Sequence, residues 1–233
     1  MTRVAIMQPT YLPWSGYFGL MQAVDVFIFL DSVQFARRSW QQRNQIKTAR
    51  GAQWLTVPVT SKGKRDQLIS EVEVDMSSNF AATHRKTIEA NYSKAVCFRE
   101  IAPALLAKLD NPTRLADLNI GIIMHCCELL GIETKVLRSS TMQGEGAKAD
   151  LLASLCREVG ATEYISPPGS SEYLDASDAF SALGVPVRYF NYHHPEYPQL
   201  FGEFLPYMSV IDMLFNCGAH SASLIRNASK VSV

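Results

Sequence analysis

Residues 8–18 read Gln-Pro-Thr-Tyr-Leu-Pro-Trp-Ser-Gly-Tyr-Phe. Tyr11, Trp14 and Tyr17 offer flat faces with polar edges, suited to stacking on a base or a sugar ring. Gln8 adds an amide, Pro9 and Pro13 stiffen the segment, and Gly16 permits a close backbone approach. A helix starting beyond it can receive a phosphate on its free amides. The same residues also suit an aromatic plug over a sheet edge. A second group follows: Asp31-Ser32-Val33-Gln34-Phe35, then Arg37, Arg38 and Trp40, then Arg43-Asn44-Gln45-Ile46-Lys47. Arg43 and Lys47 are four apart and share a face if they lie on a helical turn. Arginine holds a phosphate or carboxylate with two parallel bonds, lysine adds a point charge, and Asn44 both donates and accepts. A solvated basic loop is the alternative. The third group is Ser166, Ser170, Ser171 and Tyr173 in Ser-Pro-Pro-Gly-Ser-Ser-Glu-Tyr, a turn able to cradle an anion and equally able to serve as ordinary helix caps. Asp31 and His84 are the candidate general bases. His125 lies among apolar residues and reads as a core histidine, whereas the pair His193-His194 reads as surface. Asp212, in an apolar stretch, must be paired or face a cavity.

These groups need elements to position them. Residues 4–7 and 26–30 are apolar runs suited to buried parallel strands, with a helix over 16–23 between them, a βαβ unit. Ligands of open α/β sheets bind outside the carboxyl ends of such strands, where residues 8–15 and Asp31 fall. Residues 54–59 predict a strand, and 69–74, alternating apolar and acidic, another. From 77 to 130 the pattern is helical, its last helix stopping at Gly131. Strand 134–137, helix 148–159, strand 163–165, helix 173–183, strand 185–191 and helix 208–215 follow. The expectation is a single domain over residues 1–233: a Rossmann-like, mainly parallel α/β sheet with a helical insertion at about 77–130.

Twenty-two basic residues balance twenty-two acidic ones, so no overall field favours nucleic acid or an anionic membrane, although a local patch remains allowed. No stretch reaches the ~18 apolar residues of a membrane span, and no secretory leader pattern is present. The five cysteines are odd in number, and Cys126 and Cys127 are adjacent, which suits neither a disulfide framework nor a zinc site. A cytoplasmic protein with no metal and no cofactor is expected.

Gln8 to Phe18, Asp31 to Phe35, Trp40 with Arg43-Asn44 and Ile46-Lys47, Trp54-Leu-Thr-Val-Pro58, residues 164–175, Tyr197-Pro-Gln199 and residues 209–218 together resemble the WbqC-like family, over nearly the whole chain. That family takes its name from O-antigen gene clusters. The resemblance implies a biosynthetic setting in bacterial surface-polysaccharide or related amino-sugar metabolism, and it carries no catalytic assignment. The expected activity is a transferase acting on a small molecule, such as acyl or aminoacyl transfer from a thioester of CoA or a carrier protein to a nucleotide-linked sugar. A non-catalytic binding module of such a pathway is the alternative. The order strand, proline loop, helix, strand is also similar to pantothenate synthetase and related nucleotidyltransferases. Where those enzymes carry His-x-Gly-His, this chain has Trp14-Ser15-Gly16-Tyr17, so adenylyl transfer through those histidines is not expected.

Overall fold

The computed structural model describes residues 1–231. Short apolar runs become β1 (Arg3–Met7) and β2 (Val26–Phe29), which pair in parallel with Val4 opposite Val26 and Met7 opposite Phe29. Side chains alternate across each strand. Val4, Ile6, Val26 and Ile28 join one hydrophobic cluster, and Ala5, Phe27 and Phe29 join another on the opposite face. Every residue of β2 is buried, as expected where helices cover both faces of a parallel sheet. β5 (Lys135–Arg138), β6 (Glu163–Ser166) and β7 (Val187–Tyr192) extend the parallel set. The short β8 (Ser229–Val231) closes the edge antiparallel to β7. Sheet order is β5-β2-β1-β6-β7-β8, so the architecture is the expected mainly parallel, Rossmann-like α/β sheet. The chain leaves β1 toward β2 on one side and later returns to β6 on the other. A switch in strand order of this kind opens a crevice at the carboxyl ends of β1 and β6.

α1 (Ser15–Gln22), α4 (Leu115–Leu130), α8 (Val210–Cys217) and α9 (His220–Ala228) cover one face, and α5 (Ala149–Glu158) with α7 (Ala179–Leu183) cover the other. Between β2 and β5 the chain builds a hairpin of β3 (Arg43–Thr48) and β4 (Gly51–Thr56), then α2 (Phe80–Tyr92), α3 (Phe98–Ala107) and α4. α4 ends where Gly131 takes a left-handed φ of 64°, as its sequence predicts. Among the described residues no helix is long and apolar enough to cross a membrane.

Three local expectations change. Residues 43–47 are strand rather than helical turn, so Arg43 and Lys47 lie ~13 Å apart along β3 instead of one turn apart. Residues 69–74 are not a strand. Ile69–Glu71 forms a 3-10 turn in which the Glu71 carboxylate accepts from the Leu68 amide, and local capping of this kind competes with sheet pairing. The helix expected over 173–183 is broken into α6 (Ser171–Asp175) and α7, with Ser177 Oγ accepting from the Ala179 amide.

Candidate functional site

The loop after β1 is held rigid by buried amides, because its carbonyls point inward and must be satisfied. Asn44 Nδ2 donates to the carbonyls of Tyr11 (3.2 Å) and Leu12 (2.7 Å), fixing Leu12 at a left-handed φ of 44°. Asn119, from α4, donates to the carbonyls of Pro9 (3.0 Å) and Gln41 (2.7 Å). Tyr17 Oη donates to the Gln8 carbonyl, and the Val210 amide at the start of α8 donates to Pro13. Three elements distant in sequence therefore hold one loop.

Beside this loop run three adjoining cavities of about 280, 300 and 310 Å³. Met7, at the carboxyl end of β1, lines all of them. The first lies between Trp14, Tyr17 and the Pro167–Pro168 turn, and reaches Asn191, His193 and Tyr207. The second runs between Trp14, Thr10, Trp40, Asn44 and Tyr207. The third is lined by Gln8, Thr10, Ser39, Trp40, Gln41, Pro167 and Tyr173 among others. No aspartate, glutamate, lysine or arginine lines any of the three. The cleft is an uncharged, aromatic-walled slot with amides and hydroxyls at its edges. A separate cavity of about 510 Å³ lies between α5 and α7 beside Glu145, Asp150 and Arg157, away from the strand ends.

Trp14 is central to this slot. Its ring centroid is 5.2 Å from Tyr192 and 5.5 Å from Tyr207, and it stacks on His194 at 6.2 Å. The indole folds over Gly16 so closely that a Cβ there would lie 2.3 Å from Trp14 Cη2. Gly16 does permit a close approach, and the approaching group is the indole of its own loop.

Of the residues singled out from the sequence, Gln8, Trp14, Tyr17, Asn44 and Tyr173 meet on this cleft. Ser166 and Ser170 are buried with their hydroxyls hydrogen-bonded to each other, and Ser171 opens α6 and lines none of these three cavities. Asp31 is fully buried at the end of β2 and does not line the cleft. Its carboxylate accepts from Arg138 Nε (2.7 Å), the Ser140 amide (2.9 Å) and the Ser140 hydroxyl (2.9 Å), which ties β2 to β5. His84 also faces away. Its Nδ1 is 2.8 Å from Tyr11 Oη, it hydrogen-bonds the Thr56 backbone, and burial holds its pKa down at about 4. Tyr11 is buried with it. Gln34 bonds Arg65 and Asp66 at the surface. Arg43 lies over the Trp54 ring at 4.3 Å. Lys47 is buried, donating Nζ to the Glu203 carbonyl. Near it, Asp212 accepts from Tyr92 (2.8 Å), Tyr197 (2.8 Å) and Gln199 (2.7 Å). Burial raises the Asp212 carboxyl pKa, opposed by these donors and by Lys47. Asp212 is thus paired, one of the two outcomes its apolar setting allowed.

Thr10, Asn191, His193 and Tyr207 line the cleft without having been singled out as site residues. His193 directly follows β7, and the strand-end rule applied to the other groups would have found it. Tyr207 arrives from a C-terminal loop at a left-handed φ of 62°, for which the sequence carries no signal. Among the described residues no group of three or more His, Cys, Asp or Glu is arranged to hold a metal ion.

No solved structure matches the chain. The "Uncharacterized protein Rv1507c" of Mycobacterium tuberculosis (strain ATCC 25618 / H37Rv) is 40% identical over 229 residues, covering 97% of this chain and 98% of that one. The model of the WbqC-like protein family matches residues 8–224, from the first residue of the cleft loop to within α9, and the chain belongs to the WbqC-like protein family.

Proposed function

We propose that this protein is a transferase that seats a ring-bearing small molecule in the cleft beside β1, in surface-polysaccharide or related amino-sugar metabolism. The observation that carries the reading is the uncharged aromatic slot at the switch in strand order. A sugar ring presents C–H faces to aromatic rings and hydroxyls to polar edges, and Trp14, Trp40 and Tyr207 with Thr10, Gln8 and Asn191 match that division. Pockets of this kind bind mainly through apolar walls and fix orientation through a few polar groups.

A concrete form is acyl or aminoacyl transfer. The amine of an amino sugar attacks a thioester carbonyl, the C–N bond forms, the C–S bond breaks, and the thiol leaves. The proton lost by the amine needs an acceptor. Asp31 and His84 are turned away, whereas His193 lines the cleft and carries an imidazole, the side-chain type suited to proton transfer near neutral pH. The test mixes the protein with acyl or aminoacyl thioesters and nucleotide-linked or free amino sugars, and follows free thiol. We expect release that needs both partners and falls at least tenfold in His193→Ala. The lack of any carboxylate or cation in the slot favours one second reading, a non-catalytic binding module. Sugar binding with no thiol release from any donor would establish that reading instead.

A further inference from the structure

The chain as a whole is neutral, but residues 32–65 contain eight lysines and arginines and no acidic residue in thirty-four positions. Its first part, residues 32–56, is the loop and hairpin beside the cleft; within the stretch Lys47 is buried and Lys64 pairs with Glu73. Within it stand two large exposed aromatics, Trp40 at 51% and Trp54 at 40% exposure. Their centroids are 5.2 Å apart. Trp40 is also a wall of the cleft, so the pair continues that wall outward as a shelf. Arg43 lies over the Trp54 ring at 4.3 Å, with its Nε buried and without a hydrogen-bond partner. Arg37 and Arg38 are exposed in the turn leading to Trp40. None of these three arginines forms an ion pair among the described residues.

Exposed tryptophans beside uncompensated arginines are costly to leave idle. Two indoles side by side leave apolar surface in water, and unpaired guanidiniums supply bidentate donors for phosphate oxygens. We propose that this shelf is a nucleoside-diphosphate subsite: a base stacks on Trp40 and Trp54, and the phosphates meet Arg37, Arg38 and Arg43. The proposal rests on the cleft reading above and extends it to the substrate class, a nucleoside diphosphate sugar. The sugar then enters a slot without charge, and the two negative phosphates stay at its mouth, where the cations are. A strand of nucleic acid would use the same chemistry. The small nucleotide is favoured because the shelf leads into an uncharged slot lined by Trp14, Thr10 and Tyr207 and the chain carries no net positive charge.

The experiment is isothermal titration of the intact protein with UDP, ADP, inorganic pyrophosphate and a twelve-nucleotide oligothymidylate, on wild type, Trp54→Leu and Arg43→Gln. Thermal melts confirm that each variant is folded. One or both diphosphates should bind wild type. Trp54→Leu should weaken that binding about tenfold or more, the scale of one lost base–aromatic stack, and Arg43→Gln should weaken it similarly. Pyrophosphate should bind more weakly than the nucleotide and be insensitive to Trp54→Leu. No binding of either diphosphate, or equal binding by folded variants, overturns the subsite. Oligothymidylate binding a hundredfold tighter than UDP, and lost in the same variants, overturns it in favour of a nucleic-acid surface. A parallel titration with phosphate-free amino sugars on Tyr207→Ala separates the two readings. Sugar binding lost in Tyr207→Ala while UDP fails leaves the cleft reading standing. UDP binding without any sugar binding leaves only the shelf.

Discussion

A single methyl group tests the central packing of the cleft. In Gly16→Ala the new Cβ would lie 2.3, 2.5 and 2.6 Å from three carbons of the Trp14 indole. Carbon atoms settle at roughly 3.5–4.0 Å, so the indole must retreat by about 1 Å. Tyr192, Tyr207 and His194 pack around it, so the retreat disturbs those ring contacts. Overpacking of this kind costs ~1–3 kcal/mol, and each disturbed aromatic pair ~0.5–1.5 kcal/mol. Against this, replacing a helical glycine by alanine gains ~0.5–1 kcal/mol. The net expectation is destabilisation by ~1–2 kcal/mol, or a melting temperature lower by ~2–8 °C for a chain of this size. Intrinsic tryptophan fluorescence should change as the indole moves. The sign should reverse when Trp14 is absent: on a Trp14→Ala background, Gly16→Ala should be neutral or stabilising by up to ~1 kcal/mol, because only the helix term remains. Thermal and urea melts of the four proteins close the cycle. A Gly16→Ala protein as stable as wild type, with unchanged fluorescence, would refute the placement of the indole over α1.

Asp212→Ala removes the acceptor shared by two buried tyrosine hydroxyls and the Gln199 amide; at ~1–3 kcal/mol for each stranded donor, calorimetry should show a loss of at least ~3 kcal/mol, and a smaller loss would mean that water reaches the network. Burial lowers the His84 pKa from 6.5 to about 4, so the unfolded chain takes up this proton first. The stability tied to neutral His84 is full above pH ~6.5 and is lost as pH falls toward ~4, with a limit on the order of 3 kcal/mol. Urea melts across that window should show the slope in wild type and a reduced one in His84→Leu, and identical slopes would be the contrary result. Adenylyl transfer is not expected, because the Trp14 indole covers the start of α1, where a phosphate would need free amides and cations. Substrate-dependent pyrophosphate release from ATP and magnesium, lost in Arg43→Ala, would refute this.

What the chain encodes locally is read well from its pattern. The apolar runs of β1 and β2 with a helix between them, the glycine stop after α4, and the position of the Gln8–Phe18 segment at a strand-to-helix handover all depend on residues within a few turns of one another. Hydrophobic period and turn chemistry report such relations directly. The failures began where partners are remote or where local capping prevailed, as at residues 69–74 and in the break between α6 and α7. Asp31 stands at a strand end as its sequence implies, but Arg138 of β5 and Ser140 in the turn after it close over its carboxylate. His84 sits on its expected helix, yet tertiary packing turns that face onto Tyr11. Lys47, whose type suits a point charge facing a ligand, is instead buried with its Nζ held by the Glu203 carbonyl, 156 positions away. His193 and Tyr207 reach the cleft only because β7 lies next to β6 and a C-terminal loop folds back over Trp14. Side-chain type and local conformation belong to neighbouring residues. Which titratable group faces the cleft and which is locked in the core depends on strand order and helix rotation, and these are decided by burying the whole apolar surface at once.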